Sequence, residues 1–224
     1  MAARQIGGAQ MRRCVELWQE TRLPFKVLPG LGELITGKVS VKTMREIDYR
    51  DLLGREEVRL EQDRIGSYIT GRTVLITGAG GSIGSELCRQ LLSFKPGLIV
   101  LFDCSEENLY RVEMELRHEH NGVQAAAVLG KVQDLRLLDT VFRQYQPSVV
   151  FHTAAYKHVP LVERNPWQAV GNNIVGSRLL MEAAILHRVE RFVLVSTDKA
   201  VRPTNVMGAS KRVTELLMLA YGAE

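Results

Sequence analysis

A short apolar run that ends in a glycine-rich turn constrains this chain more than any other feature. Residues 74–77 read VLIT, and residues 78–84 read GAGGSIG. Glycine at such positions permits a tight turn, lets backbone N–H groups approach a diphosphate, and lets a helix pack close to the strand. The N-terminus of that helix adds partial positive charge. The pattern predicts a bound dinucleotide, with an ordinary tight turn as the alternative. The predicted cofactor residues of this turn are Gly78, Gly81, Ser82, Ile83 and Gly84.

From residue 72 onward, short β-branched runs alternate with longer amphipathic segments. Strands are predicted at 73–77, 98–102, 125–129, 149–151 and 192–195. Helices are predicted at 82–94, 105–119, 134–145, 173–187 and 206–221. This alternation is typical of βαβ units, so the predicted fold class is α/β, with a Rossmann-type, doubly wound parallel sheet.

The residues before this alternation follow a different pattern. Residues 11–20 have a helical periodicity, residues 23–37 are punctuated by proline and glycine, and residues 63–69 favour a short helix. Such punctuation is typical of a connector or of the end of a domain. We therefore expect a linker and domain remnant over 1–70, followed by a cofactor-binding catalytic domain over 71–224.

Composition excludes several classes of protein. The formal net charge of +4 is scattered and does not form the basic stripe of a nucleic-acid-binding protein. No apolar run reaches the roughly 20 residues of a membrane helix, and no signal peptide is visible, so a soluble cytoplasmic chain is expected. Cys14, Cys88 and Cys104 have neither metal-ligand spacing nor an even count, so no metal site is predicted. We expect Cys88 and Cys104 to pack as small apolar groups.

A carboxylate ends the second predicted strand. Asp103 lies about 20 residues after the glycine turn, which is the separation typical of recognition of the adenosine ribose. A carboxylate there accepts hydrogen bonds from the ribose hydroxyls and repels a 2′-phosphate, which favours NAD over NADP. The alternative role for Asp103 is to cap the helix that follows Ser105.

Three reactive side chains follow the last predicted strand, which reads as a buried strand. Thr197, Asp198 and Lys199 supply a hydroxyl, a carboxyl and an amine. They lie at the carboxyl end of the strand, where α/β sheets bind their ligands, and they can orient a substrate and move protons. The alternative for Asp198 and Lys199 is a plain ion pair.

Met207 and Lys211 occupy the two positions of a YxxxK motif at the start of the last predicted helix. Tyrosine and lysine at that spacing share one helical face, and the lysine lowers the pKa of the tyrosine so that it can remove a hydroxyl proton. Methionine cannot do this, so catalysis would need other groups nearby. The alternative for Lys211 is a solvated helix lysine.

Four long runs together resemble one family. They are LPGLGELITGKVSVKTMREIDYRDLLGR at 28–55, TGAGGSIGSELCRQ at 77–90, FHTAAYKHVPLVERNP at 151–166 and STDKAVRPTNVMGASKR at 196–212. The sequence resembles the CapD/PglF/WbpM-like polysaccharide-biosynthesis proteins, the large UDP-N-acetylglucosamine 4,6-dehydratases of the extended short-chain dehydrogenase/reductase superfamily. The methionine in place of tyrosine is typical of this group, and the run at 28–55 is similar to its link from an upstream Rossmann-like domain.

The resemblance implies a chemistry for the reactive residues. NAD⁺ takes a hydride from C4 of the sugar, a base removes the C5 proton, water leaves from C6, and the hydride returns to C6. Thr197 would bind the C4 hydroxyl, with help from Lys211 through the nicotinamide ribose. Asp198 would be the acid for the C6 hydroxyl and Lys199 the base at C5. This role requires a neutral Lys199, and we expect partial burial and the nearby Lys211 cation to depress its pKa.

The resemblance also implies further cofactor contacts and partners. Ser105 would lie beside the adenosine, and the backbone at Val132 beside the adenine. Ala154, Ala155 and Lys157 would contact the cofactor after the fourth strand, and Asn173 would brace the central helix. His152 is interpreted as a core histidine. The implied substrate is a UDP-sugar, the implied assembly is a homo-oligomer, and membrane association would come only through segments absent from this chain.

Three positions depart from the family pattern. Lys131 stands where an aspartate binds the adenine amino group, and an ammonium group cannot accept that bond. Arg202 replaces an asparagine, and Thr153 replaces a small alanine beside the cofactor. We interpret all three as neutral drift or as local tuning of the site.

The chain also stops within or just after the helix that carries Lys211, so we expect a segment of a larger protein whose sugar-binding part is missing. Such a chain alone would bind NAD weakly and turn over little substrate. Two alternatives remain open at this point: a nucleotide-sugar C4 epimerase, against which Met207 argues, and a non-catalytic NAD-sensing or assembly module. Retention or inversion at C5 is undecided.

Overall fold

The computed structural model describes residues 61–119 and 124–222. The predictions made for residues 11–20 and 23–37, for Cys14 and for the family-like link at 28–55 lie outside the described residues. The predicted short helix is observed as α1, Gln62–Ile69.

Five parallel strands form one sheet in the order β3-β2-β1-β4-β5. The strands are β1 Thr73–Thr77, β2 Leu98–Asp103, β3 Gln124–Leu129, β4 Val149–His152 and β5 Arg191–Leu194. Thr77 aligns with Phe102 of β2 and with His152 of β4, so the carboxyl ends of the central strands lie at one edge of the sheet. The direction of winding reverses between β1 and β4, and doubly wound sheets bind ligands at that point.

Helices connect the strands, with bounds close to those predicted. They are α2 Ser82–Leu92, α3 Glu106–Glu119, α4 Leu135–Tyr145, α7 Ser177–Leu186 and α8 Val206–Tyr221. Two short helices that were not predicted, α5 Val159–Arg164 and α6 Pro166–Ala169, follow β4. The helix predicted at 173–187 begins instead as a π-helix, Val170–Gly176, and continues as α7.

The core lies on both faces of the sheet, because successive strand side chains point to opposite faces. On β1, Val74 and Ile76 pack in one apolar cluster with residues of α1, α2 and α3. Leu75 packs in a second cluster with residues of α4 and α7. Each face therefore carries its own layer of helices, and the predicted Rossmann-type fold class is confirmed.

Two expectations about burial are wrong. Within the described ranges β5 lies at one edge of the sheet and pairs with β4 alone, and its Arg191 and Val193 are exposed. Cys104 is also exposed, because it follows the last residue of β2 at the open edge of the sheet, whereas Cys88 is buried as predicted. Burial raises the pKa of the Cys88 thiol to about 12.

Over the described ranges, no helix combines the length and the apolar character that a bilayer crossing requires.

Candidate functional site

The glycine turn after β1 is closely packed, and two of its glycines are required for that packing. Gly78 has a φ of +71°, and a Cβ added there would lie 2.7 Å from the backbone nitrogen of Ala154. A Cβ on Gly84 would overlap the carbonyl oxygen of Gly78. Larger residues at these positions would push the first turn of α2 away from β1, so the backbone forms a cradle that a diphosphate could enter.

The Asp103 carboxylate accepts hydrogen bonds from two backbone segments, the glycine turn and the residue before α3. Its Oδ2 accepts a hydrogen bond from the Gly80 backbone N–H at 2.8 Å. Its Oδ1 accepts one from the Ser105 N–H at 2.9 Å, just before α3. A carboxylate has about four lone-pair sites, so acceptor capacity remains for ribose hydroxyls. Asp103 thus holds the glycine turn and the start of α3 together, and its predicted ribose role stays a prediction.

Thr153, the residue that replaces the family alanine, binds the glycine turn. Its hydroxyl donates to the carbonyl oxygens of Thr77 at 2.8 Å and of Gly78 at 3.2 Å. The departure from the family pattern therefore adds a direct tie between β4 and the turn. Ala154 and Ala155 follow it in half-buried positions, and Lys157 is exposed.

Asn173 joins the loop after β4 to α8. Its side chain exchanges two hydrogen bonds with the backbone of Tyr156: Oδ1 accepts from the N–H at 2.8 Å, and Nδ2 donates to the carbonyl at 3.0 Å. Nδ2 also donates to the Ser210 hydroxyl at 2.9 Å. Asn173 is buried and its side-chain amide is fully hydrogen-bonded, while its predicted role beside the cofactor stays a prediction.

Lys211 is not a solvated helix lysine. It is 7% exposed, and its Nζ donates to the carbonyl oxygen of Val195 at 2.6 Å. Burial lowers the pKa of Lys211, while the negative charge of Glu215 opposes this shift. The amine is therefore held beside the end of β5, where the reactive turn begins.

The turn Thr197-Asp198-Lys199 forms a small hydrogen-bonded unit. Asp198 Oδ1 accepts from the Thr197 hydroxyl at 3.0 Å and from Lys199 Nζ at 3.3 Å. The bond from Thr197, followed by the bond from Lys199, lowers the pKa of Asp198. The side chains are 87% exposed for Asp198 and 51% exposed for Lys199, so the expected partial burial of Lys199 is not found. Lys199 is exposed because β5 lies at the edge of the sheet, which leaves the turn after it open to solvent.

Packing between this turn and α8 brings the reactive residues into one region. A Cβ on Gly208 would overlap the carbonyl oxygen of Lys199, so the start of α8 lies directly against the turn. Ser196 donates to Glu215 Oε1 at 2.6 Å, which ties the other end of the turn to the same helix. Gly208 and Glu215 were not singled out by sequence reasoning.

Met207 fills the tyrosine position with an apolar, buried side chain. It is 5% exposed and packs with Val162 of α5 and Ala169 of α6. Glu163 of α5 accepts a hydrogen bond from the Val206 N–H at 2.6 Å and so helps to place the start of α8. Glu163 carries no local sequence signal for this contact, because its partner lies 43 residues away.

The adenine side of the predicted site is formed at the end of β3. Val132 is buried against the π-helix, where a Cβ on Gly176 would lie 2.6 Å from its side chain, while Lys131 is exposed. The glycine cradle, the free acceptor capacity of Asp103 and the buried amine of Lys211 are features that fit a dinucleotide. The predicted contacts of Ser105, Val132, Ala154, Ala155 and Lys157 with it stay predictions.

Comparisons with known proteins identify a family and several relatives. The family described as "Polysaccharide biosynthesis protein" matches residues 74–224. The chain is 42% identical over 203 residues to a probable polysaccharide biosynthesis protein, EpsC, of Bacillus subtilis, covering 90% of this chain and 34% of that protein. It is 34% identical over 151 residues to an inverting UDP-N-acetylglucosamine 4,6-dehydratase of Campylobacter jejuni, covering 67% of this chain and 43% of that protein. The chain thus spans a third to under a half of the length of these relatives.

A solved structure agrees with the fold. UDP-glucose 4-epimerase from Thermotoga maritima, solved with UDP-glucose, superposes with a TM-score of 0.59 at 26% sequence identity. The superposition covers 68% of this chain and 52% of that one. The shared part is the parallel sheet with its flanking helices.

Proposed function

Because the chain belongs to the polysaccharide biosynthesis protein family, we propose that it is the NAD-binding catalytic part of a UDP-N-acetylglucosamine 4,6-dehydratase. Within it, residues 71–224 would form the catalytic domain and residues 1–70 a linker with the remnant of a preceding domain. The product would be a 4-keto-6-deoxy sugar nucleotide used for bacterial surface polysaccharide. Two of the proteins named above, the Campylobacter jejuni dehydratase and the Thermotoga maritima epimerase, are named for reactions of UDP-sugars, and the dehydratase assignment is our inference from the site.

One observation supports dehydration most directly. The tyrosine position of the YxxxK pattern holds Met207, which is buried among apolar residues, while an acid and an amine stand on the adjoining turn. An epimerase that uses YxxxK moves the C4 hydroxyl proton with that tyrosine, whereas here Thr197 and Lys211 would have to move it. A dehydratase needs an acid and a base near C6 and C5, which Asp198 and Lys199 would supply.

Each residue has a separate task in this proposal. Thr197 would orient the C4 hydroxyl and relay the proton that this hydroxyl loses, through the Lys211 amine, to solvent; burial lowers the pKa of Lys211 and so favours an amine that can accept it. Lys211 would also hold the ribose side of the cofactor. NAD, when bound, supplies the hydride acceptor for C4 and the hydride donor for C6. Lys199 Nζ would take the C5 proton, and Asp198 would give a proton to the hydroxyl that leaves C6 as water. As C6 is reduced, the Lys199 ammonium would give a proton back to C5 and regain one from solvent, which balances the proton released from the C4 hydroxyl.

The Asp198–Lys199 ion pair can supply both catalytic groups by moving one proton. Transfer of a proton from Lys199 Nζ to Asp198 Oδ1, 3.3 Å away, creates a neutral amine and a protonated acid together. Once the amine has taken the C5 proton and the acid has protonated the leaving hydroxyl, the ion pair is restored. In water the charged pair is strongly favoured, so the bound sugar nucleotide must exclude solvent from this exposed turn.

The test replaces the matching region of the Campylobacter jejuni dehydratase with residues 74–224 of this chain. With NAD⁺ and UDP-N-acetylglucosamine in D₂O, we expect a product that is lighter by one water and carries deuterium at C5. A product of unchanged mass would identify an epimerase, and NAD binding without any product would identify a non-catalytic module. Cooperative unfolding of the chimera verifies that it is folded.

Two variants of the chimera complete the design. Lys199→Ala should abolish both product and C5 deuterium incorporation, because the C5 base is gone. Arg143 lies in the last turn of α4, near the start of β1 and away from the site. Arg143→Met removes its positive charge and should leave turnover unchanged. Full activity of the Lys199→Ala variant would refute the assigned base.

A further inference from the structure

A line of buried polar side chains runs from the end of β1 to the π-helix. Thr77, His152 and Ser177 are each at most 1% exposed. Thr77 Oγ1 lies 2.6 Å from His152 Nδ1, and His152 Nε2 lies 2.7 Å from Ser177 Oγ. Ser177 Oγ donates in turn to the carbonyl oxygen of Asn173 at 2.5 Å.

The acceptor at the end of this line sets the direction of every bond in it. A carbonyl oxygen can only accept, so the single proton of the Ser177 hydroxyl is used on Asn173. Ser177 Oγ must therefore accept from His152 Nε2, which makes Nε2 the protonated nitrogen. In a neutral ring Nδ1 then accepts, and the Thr77 hydroxyl donates to it. Burial, aided by the positive charge of Lys211, lowers the pKa of His152 to about 3, which agrees with a neutral ring.

The line ends at the residue that joins the parts of the site. The Thr214 hydroxyl of α8 shares its proton between the carbonyl oxygens of Ser210, at 2.8 Å, and of Asn173, at 3.1 Å, while the Asn173 side chain holds Tyr156 and Ser210. At its other end, Thr77 directly precedes the glycine turn. The buried line therefore connects the turn, the loop after β4 and the helix that carries Lys211.

The Ser177 hydroxyl binds a carbonyl oxygen inside the π-helix. A serine that donates to the carbonyl four residues earlier competes with the backbone ladder and bends a helix. Side chains inserted into the ladder accompany local departures from α geometry such as π turns. Here that carbonyl belongs to Asn173, within the π-helix Val170–Gly176.

We propose that His152, as the neutral ring protonated at Nε2, and Ser177 are positioning residues that fix the Asn173 carbonyl and thereby hold the Lys211 helix in register with the glycine turn. They touch neither cofactor nor sugar. The effect on cofactor binding rests on the proposed function, whereas the tautomer and the bond order do not.

The first experiment observes the ring directly. The whole chain is labelled with ¹⁵N-histidine, and His152 is assigned by the signals lost in the His152→Gln variant. Long-range ¹H–¹⁵N spectra at pH 7 should show a protonated Nε2 and an unprotonated Nδ1. A ring protonated at Nδ1, or at both nitrogens, would overturn the assignment.

The second experiment separates positioning from general stability. Ser177→Ala breaks the line, and Ser93→Ala is the matched control, because Ser93 is an exposed serine that donates to a carbonyl of its own helix. Hydrogen exchange of the Tyr156 amide, which Asn173 holds, should accelerate on the order of tenfold in Ser177→Ala relative to amides of β2. It should not accelerate in the control. Uniform acceleration over the whole chain would reduce Ser177 to a general packing residue and overturn the proposal.

The third measurement uses rescue. His152→Gln keeps an N–H donor close to Nε2, and His152→Leu removes it. We expect the glutamine variant to retain slow Tyr156 exchange in the whole chain and, in the chimera, an NAD affinity within a few-fold of the parent. In the leucine variant, Tyr156 exchange should be about tenfold faster and NAD affinity about tenfold weaker. Equal behaviour of the two variants would contradict the proposal. If the parent chimera binds no NAD, the proposed function fails, while the spectra and the exchange rates of the whole chain still decide the roles of His152 and Ser177.

Discussion

Lys211 Nζ donates a hydrogen bond to the backbone carbonyl oxygen of Val195 at 2.6 Å. The bond joins the last helix to the final residue before the polar turn that begins at Ser196. The buried amine of Lys211 thus lies next to the Thr197-Asp198-Lys199 turn without any bound ligand to hold it there. The fold therefore fixes the position of Lys211 relative to the Thr197-Asp198-Lys199 turn, the two parts of the proposed catalytic site.

Replacing Lys211 by methionine should separate function from stability. Burial removes the Lys211 amine from water, which is unfavourable, and the amine gains one hydrogen bond to a neutral carbonyl in return. An apolar side chain of similar length loses both the cost and the gain, so the free energy of unfolding should change by less than about 1 kcal/mol. In the chimera, turnover should fall on the order of a hundredfold, because the ribose contact and the positive charge are lost. Urea unfolding and product formation measure the two effects. Arg143→Met is the control, and unchanged turnover of the Lys211→Met variant would contradict the assigned role.

A methyl group at Gly84 should disrupt the glycine turn. Its Cβ would overlap the carbonyl oxygen of Gly78, and the backbone there has no flexible side chain to yield. We expect a loss of at least about 2 kcal/mol in the free energy of unfolding, with loss of any NAD binding. Gly171→Ala is the matched control, because open space surrounds that position, and it should stay within about 1 kcal/mol of the parent. Equal stability of the two variants would contradict the close packing described here.

Thr153→Ala restores the residue that the family resemblance predicts and tests the extra tie to the turn. The carbonyl oxygens of Thr77 and Gly78 keep their backbone partners, Thr153 N–H and Gly81 N–H, so neither is left unpaired. The cost should therefore be only about 1 kcal/mol, the usual net value of a hydrogen bond. Thr140→Ala, at an exposed helix position whose hydroxyl also binds a carbonyl, should cost nothing or stabilise slightly. Differential scanning calorimetry measures both variants, and a neutral Thr153→Ala change would show that the tie contributes nothing.

Acid should destabilise the fold through His152. Burial holds its folded pKa at about 3, below the ordinary value of 6.5, so between these two values the unfolded chain binds a proton that the native chain does not. The free energy of unfolding therefore falls as pH falls through that window. Between pH 7 and pH 5 the contribution of His152 to this loss is about 2 kcal/mol.

Urea unfolding at pH 7 and pH 5 tests this dependence. The His152→Gln variant should lose about 2 kcal/mol less over that interval than the parent, since it lacks the titrating ring. His158→Gln, at an exposed position, should behave like the parent. The same pH dependence in parent and His152→Gln would show that His152 does not titrate differently on folding.

Local sequence patterns predicted the main elements correctly for physical reasons. The bounds of β1 and α8 are those predicted, because the apolar run and the helical period each meet a strong end signal, glycine at Gly78 and the cap of Asn205 on the Gly208 N–H. Asp103 was expected at the end of β2 and lies there, since the strand ends at the first charged side chain. These properties depend on residues that are neighbours along the chain.

Burial depended on contacts between distant parts of the chain. An apolar run such as β5 reads as a central strand, but its place in the order of the sheet puts it at the edge and leaves Lys199 in solvent. For Lys211 the sequence left a solvated surface lysine open as an alternative, but the side chain is covered because α8 packs against the reactive turn and the π-helix. The role of Ser177 could not be predicted from the sequence either, because Ser177 begins α7 whereas its partner His152 lies on β4, 25 residues earlier.

The sequence by itself determined the α/β class, the glycine turn and the identity of the reactive side chains, because each of these follows from residue type and short-range spacing. The tertiary structure alone decided which of those side chains are buried, which are hydrogen-bonded, and which face one another. Parallel sheets bring together strand ends that are far apart in sequence, and the environment of each group at that edge is set by all of its neighbours in space.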